Sequence, residues 1–141
     1  MHPDIKSEKT VEVYPDSIPG AAQLHAWFGY WPSFHDAEIV SLVLNRSGLS
    51  SLRLHTWHTT GQVDERGCYI KEKHVNVIFH MEEILALALN NFSQQNVIFG
   101  LEIVEDNRGY RLILDPCYGL AGSISVRALS IELEPGAGGA Q

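Results

Sequence analysis

The chain has 141 residues, of which 45% are hydrophobic and 19% charged, so its size and composition are those of one globular domain and exclude a disordered protein. No apolar run approaches the roughly 20 residues of a membrane helix, and the first residues lack the apolar segment of a signal peptide. The sequence predicts a soluble, cytoplasmic protein with a single domain at 1–135 and a flexible tail at 136–141.

The net charge of −7 is unevenly distributed. Residues 74–141 carry three arginines against eight carboxylates. Because Lys and Arg contacts to phosphate dominate nucleic-acid binding, this acidic half argues against a nucleic-acid ligand. It suits a basic protein partner, although mild acidity also serves solubility alone.

The first predicted elements are a short strand and a helix. Residues 11–14 form a possible strand that prolines then interrupt. Good helix formers follow Gly20, and Leu24, Trp27 and Phe28 fall on one helical face. Gly29 suits the end of this helix, and the proline at position 32 prevents its continuation.

The rest of the chain alternates with a period of two, which indicates strands. The strand patterns lie at 38–45, 51–60, 74–81, 82–92, 96–106, 110–116 and 123–135. The alternation of Leu and Ala at 82–92 favours a strand, although the composition also tolerates a helix. We place Val97, Phe99, Leu101 and Ile103 on one face.

The last strand contains a change of phase, because its apolar residues move from even to odd positions near Arg127 and Ala128. An extra residue there would return both sets to the core, which predicts a β-bulge. The fold class is α+β, mainly β: an antiparallel sheet of about 7–8 strands curled as a half-barrel or sandwich, with one short helix near the N-terminus.

Seven histidines raise the question of a metal site. The possible ligands are His35, Asp36, Glu38, His55, His58, His74 and His80. A zinc ion needs three or four converging ligands, and strand alternation sends His55 and His58 to opposite faces. The sequence contains no recognisable metal or nucleophile motif, so we predict no metal, no cofactor and no catalytic residues.

The densest group of aromatic and polar residues is GYWPSFHDAEIV at 29–40. Asp36 and Glu38, two residues apart at the start of a strand, would share a face and could act as paired carboxylates. A structural role is more economical: aromatic rings anchor the helix to the sheet, and polar side chains hydrogen-bond the backbone at a corner. The residues of this structural motif are Trp31, Pro32, Phe34, His35 and Asp36.

Four segments resemble the bacterial immunity protein 50 family in order and spacing: YWPSFHDAEIVSLVLNR, HTWHTTGQVDERGCYIKEKHVNVIF, NNFSQQNVIFGLEI and DPCYGLAGSIS. The resemblance extends over residues 29–134, and W-P-x-F-H-D-A-E is its most specific part. Phe92 with Gln95, Asn96 and Val97, and the pair Tyr118 and Gly119, support it.

The resemblance implies a small cytosolic immunity protein, encoded beside a polymorphic toxin, that binds and neutralises the toxin and catalyses nothing. The shared motif would hold the scaffold, while exposed positions would determine which partner binds. We place the partner-binding residues at Asp36, Glu38, Trp57, Glu102, Glu105, Asp106 and Tyr118, with a purely structural role for Trp57 equally open.

Two other functions stay open at this stage. One is a metal- or carboxylate-dependent hydrolase centred on His35, Asp36 and Glu38, with His58 as a further member. The other is a small-ligand binding module whose mouth is lined by Trp27, Tyr30 and Trp31. The sequence permits either a monomer or a dimer.

Overall fold

The computed structural model describes residues 13–135. Within this range one helix, α1 (Ala21–Phe28), precedes six strands. The strands are β1 (Glu38–Val43), β2 (Leu49–Val63), β3 (Tyr69–Asn90), β4 (Val97–Asp106), β5 (Gly109–Tyr118) and β6 (Ala121–Pro135). The predicted mainly β class with one short helix near the N-terminus is confirmed.

The six strands form one antiparallel sheet that closes into a barrel in the order β1-β2-β3-β6-β5-β4. β3 is the longest strand, and it pairs with β2 on one side and β6 on the other. The closing contact between β1 and β4 is short, with Glu38 opposite Val97. Within residues 13–135 the structure has no helix that is long and apolar enough to cross a membrane.

The predicted count of about 7–8 strands and the open half-barrel or sandwich are therefore wrong in detail. The patterns at 74–81 and 82–92 belong to one continuous strand, β3, which also confirms strand over helix for most of 82–92. Of the pattern at 11–14, residues 13 and 14 are not in a strand, and 11 and 12 lie outside the described residues. The predicted tail at 136–141 also lies outside them.

Helix α1 lies between two glycines with positive φ. Gly29 ends the helix as predicted, because its N–H donates to the carbonyl of His25 at 2.7 Å. Gly20 is required for two reasons: its φ is positive, and a Cβ atom at this position would collide with the carbonyl of Ile131. Leu24 and Phe28 are buried in the core, whereas Trp27 is only partly buried against it.

β-Bulges determine which side chains face the core. The pairing of β3 with β6 shifts between Ile84 and Ala86, so the extra residue lies on β3 and not at Arg127–Ala128 as predicted. In β4 the register with β5 shifts on both sides of Ile98. Ile98 is fully buried while Phe99 is 55% exposed, so the predicted shared face of β4 is wrong at Phe99, although Leu101 and Ile103 both pack against the core.

Candidate functional site

The segment FHDAE (residues 34–38), here called the corner segment, closes the sheet. The Asp36 N–H donates to the Ile98 carbonyl at 2.9 Å, and the Ile98 N–H donates to the Ala37 carbonyl at 3.0 Å. The Ile39 N–H then donates to the Asn96 carbonyl at 2.8 Å. These bonds join the start of β1 to the start of β4, so the corner segment forms the seam of the barrel.

Phe34 anchors the corner segment in the core. Its side chain is 2% exposed, and its ring centroid lies 5.9 Å from that of Phe79 and 6.4 Å from that of Trp31. Its φ of 63° is unusual for a bulky residue, whereas the φ of 68° at Asp36 lies in a region that aspartate tolerates better than most residues. Burial of the ring holds the backbone in this conformation.

The polar side chains of the corner segment lie on the surface. His35 Nδ1 is 3.1 Å from the Phe99 carbonyl oxygen, and its ring contacts the Phe99 ring edge-on at 4.8 Å. The Asp36 carboxylate lies 3.5 Å from His35 Nε2 and accepts a weak bond from the Cys117 thiol at 3.8 Å. His35 thus hydrogen-bonds the backbone across the seam, whereas Asp36 does so only through its own N–H.

A buried amide holds the neighbouring loops together. Asn96 Oδ1 accepts from the N–H of Ser93 at 3.0 Å and of Leu120 at 2.9 Å, and Nδ2 donates to the Ser93 carbonyl at 2.8 Å. Gly119 has a φ of 91° against this amide, and a Cβ atom there would collide with Asn96 Oδ1. The residues of the resemblance at 96 and 119, far apart in sequence, therefore contact each other at the seam.

A cleft of about 270 Å³ lies between the corner segment and β2. It is lined by Tyr30, His35, Asp36 and Trp57 among others, and the Tyr30 hydroxyl lies 2.6 Å from His58 Nδ1. Burial raises the pKa of Tyr30. The volume is just under the roughly 300–1,000 Å³ of small-molecule sites.

The three aromatic residues assigned to a ligand mouth do not share one cavity. Trp31 lines a different groove from Tyr30. Trp27 instead donates from Nε1 to the Lys73 carbonyl at 3.4 Å and packs partly against the core.

The residues assigned to a hydrolase are brought together only in part. Asp36 has left-handed backbone geometry and precedes β1, so strand alternation does not place it on one face with Glu38, which is half-buried. Among residues 13–135, no three His, Cys, Asp or Glu side chains are grouped so as to hold a metal ion.

A polar network on β2 and β3 was not foreseen from the sequence. His55 Nε2 lies 3.0 Å from His74 Nδ1, and the two rings are stacked. Desolvation lowers the pKa of His74, and His55 and Lys71 lower it further. Lys71 Nζ also lies 4.2 Å from the centre of the Trp57 ring, so Trp57 is a half-buried sheet residue already covered by a cation.

The predicted acidic group on β4 is divided by the structure. Glu102 is exposed and lines a groove beside the seam. Glu105 and Asp106 lie at the β4–β5 hairpin, where Asp106 accepts from the N–H groups of Arg108 at 2.8 Å and Gly109 at 3.0 Å. These bonds lower the pKa of Asp106 and make it a turn residue.

We expect Asp36→Ala to lower the free energy of unfolding by about 1 kcal/mol, because alanine is less tolerant than aspartate of left-handed geometry. Asp36→Asn is the matched control: asparagine tolerates this geometry, so its stability should stay within about 0.5 kcal/mol of wild type. Urea denaturation of the three proteins measures the difference. Equal stability of Asp36→Ala and wild type would rule out a conformational role.

No protein-family model, no curated protein and no solved structure matches this chain. The function of the protein must therefore be inferred from the seam and the surface around it.

Proposed function

We propose that the protein is an immunity protein that binds and neutralises a cognate bacterial polymorphic toxin by protein–protein contact, without catalysis and without a cofactor. The observation that carries this proposal is the surface beside the seam, where aromatic rings are exposed among carboxylates. We call it the seam surface and define it by Asp36, Phe99, Glu102, Asp115 and Tyr118.

The aromatic members of the seam surface have the properties of interface anchors. Phe99 is 55% exposed and Tyr118 is 57% exposed, and both lie beside the start of β4, since Tyr118 pairs with Val97. Large rings left in water are a common feature of protein-binding surfaces, where their burial supplies much of the affinity.

The seam surface is also acidic. Desolvation raises the pKa of the Cys117 thiol, and the carboxylates of Asp36 and Asp115 raise it further, as expected in a negative local potential. The arginines of the C-terminal half lie elsewhere: Arg127 pairs with Glu83, and Arg108 and Arg111 act on Asp106 at the hairpin. Such a surface favours a basic partner, because complementary charge accelerates association and excludes wrong partners.

The test is to purify the protein together with the product of any toxin-like gene that neighbours its own, and to measure binding by calorimetry and toxin activity in parallel. We expect nanomolar binding and loss of toxin activity. The double variant Asp36→Asn, Glu102→Gln should weaken binding about tenfold or more.

The matched control is Glu65→Gln, Glu72→Gln, which removes the same charge from the β2–β3 hairpin and should bind like wild type. Failure of the wild-type protein to bind or inhibit any neighbouring toxin would overturn the proposed function. Equal weakening by both double variants would show that only the net charge matters, and not the seam surface.

A further inference from the structure

A groove of about 450 Å³ lies on the outer face of β4 and β5 beside the corner segment. Its lining combines Trp31, Phe99 and Ile113 with the carboxylates of Glu102 and Asp115. The register places Gly100 opposite Asp115 and Glu102 opposite Ile113. Residues directly opposite each other on neighbouring strands share a face of the sheet, and so do residues two apart on one strand. The carboxylates of Glu102 and Asp115 and the side chain of Ile113 therefore lie on the same face.

The aromatic walls of the groove are held in place by other rings. Trp31 stacks on Tyr14 with a centroid distance of 5.5 Å and an interplanar angle of 15°. Phe99 contacts His35 edge-on, and the adjacent bulge turns its side chain out of the core. Both rings therefore form a surface that is already shaped before a ligand arrives, which reduces the entropy lost on binding.

Gly100 keeps the groove open. A Cβ atom at Gly100 would have no heavy atom within 4 Å, and its φ is not in the left-handed region. Neither packing nor backbone geometry therefore requires glycine here. What the missing side chain provides is space between Phe99 and the two carboxylates.

We propose that this groove binds one arginine side chain of the partner, with the guanidinium against the rings of Trp31 and Phe99 and its N–H groups directed to Glu102 and Asp115. A guanidinium is planar, stacks on aromatic rings and donates to carboxylates in a fork, whereas a lysine ammonium is a compact, strongly hydrated charge. The methylene stem of arginine can lie along Ile113. That the arginine belongs to a toxin rests on the proposed function; the selectivity for arginine is a property of the groove.

The groove can be tested without any partner. N-acetyl-arginine amide is titrated into isotope-labelled protein while the backbone amide signals of Gly100, Glu102 and Asp115 are followed by NMR. We expect saturable shifts at millimolar ligand, and an affinity about tenfold lower for N-acetyl-citrulline amide, which has nearly the same shape but no charge. Equal responses to the two ligands, or no saturable shift at these residues, would overturn the proposal.

Gly100→Phe is designed to fill the groove from its floor. It should keep the melting temperature close to that of wild type and abolish the arginine response. The surface variant Glu102→Gln, Asp115→Asn removes both carboxylates without adding volume, and should abolish the response as well. An arginine response retained in this second variant would overturn the proposal even if Gly100→Phe fails to fold.

The same variants separate this inference from the proposed function. If wild type binds the toxin and the two variants bind about tenfold more weakly or worse, the groove carries part of the interface. If both variants bind like wild type, the groove inference fails while the immunity function stands. If no toxin binds at all, the immunity function fails, and the arginine titration still decides whether the groove selects arginine.

Discussion

Phe34→Ala is expected to lower the free energy of unfolding by about 4 kcal/mol, since truncating a fully buried phenylalanine costs about 3–5 kcal/mol. The ring is 2% exposed and packs against Phe79, so its removal loses apolar burial and leaves a cavity. Alanine at a φ of 63° keeps most of the backbone strain, so little is recovered. Because whole domains are stable by only about 5–15 kcal/mol, this change brings the fold close to its limit.

Chemical denaturation with urea measures the effect, and Phe99→Ala is the control. Phe99 is the same residue type at the same seam but is 55% exposed, so its removal should cost less than about 1 kcal/mol. Phe99→Ala should weaken toxin binding, whereas Phe34→Ala should not weaken binding by the molecules that remain folded, because only Phe99 belongs to the seam surface. If Phe34→Ala lowers the free energy of unfolding by less than about 1 kcal/mol, packing of the Phe34 ring in the core does not hold the corner segment in place.

Asn96→Ala is expected to lower the free energy of unfolding by about 2–4 kcal/mol. Its side chain is 4% exposed and makes three hydrogen bonds, two to Ser93 and one to the N–H of the buried Leu120. Leaving a buried backbone group unpaired costs about 1–3 kcal/mol, and here more than one group loses its partner. The amide proton of Leu120 should also exchange faster with solvent.

Gln95→Ala provides the matched control, because Gln95 is the exposed neighbour in the same loop. Its stability should stay within about 0.5 kcal/mol of wild type. If Asn96→Ala unfolds at the same urea concentration as Gln95→Ala, the amide does not hold the loops at the seam.

The sequence supplies candidate residues for partner binding, but not their arrangement in space. Asp36, Glu102 and Tyr118 were assigned to partner binding and lie at the seam surface, whereas Glu105 and Asp106 lie at the hairpin. The distance along β4 between Glu102 and the hairpin residues Glu105 and Asp106 follows from strand geometry. The sequence does not show that the seam forms between β1 and β4.

Other members of the site were missed. Asp115 and Gly100 are not among the residues predicted for partner binding, and the contact between His55 and His74 is not predicted either. One signal was present: an isolated glycine within a strand pattern, such as Gly100, indicates a bulge or an open space beside the backbone. The histidine contact had no such signal, since it depends on the register of two strands.

The sequence by itself determined the elements with local causes. The alternation of apolar residues predicts strands because one side of each strand must be buried, and Gly29 ends α1 because its φ of 84° suits glycine. Tertiary structure alone decided that Glu83, with a φ of 55°, lies within one continuous strand β3 instead of a turn between two strands.

Tertiary structure alone also decided the closure of the barrel and the positions of the bulges at Ile98 and Ile84. Closure depends on pairing Glu38 with Val97, residues remote in sequence whose contact no local pattern encodes. A bulge changes which face the side chains occupy, so one unforeseen bulge is enough to separate Phe99 from the face of Leu101 and Ile103 and to expose it on the surface. The sequence alone therefore provides the aromatic and acidic residue types of the site, whereas long-range strand pairing determines where these residues lie and what shape the site has.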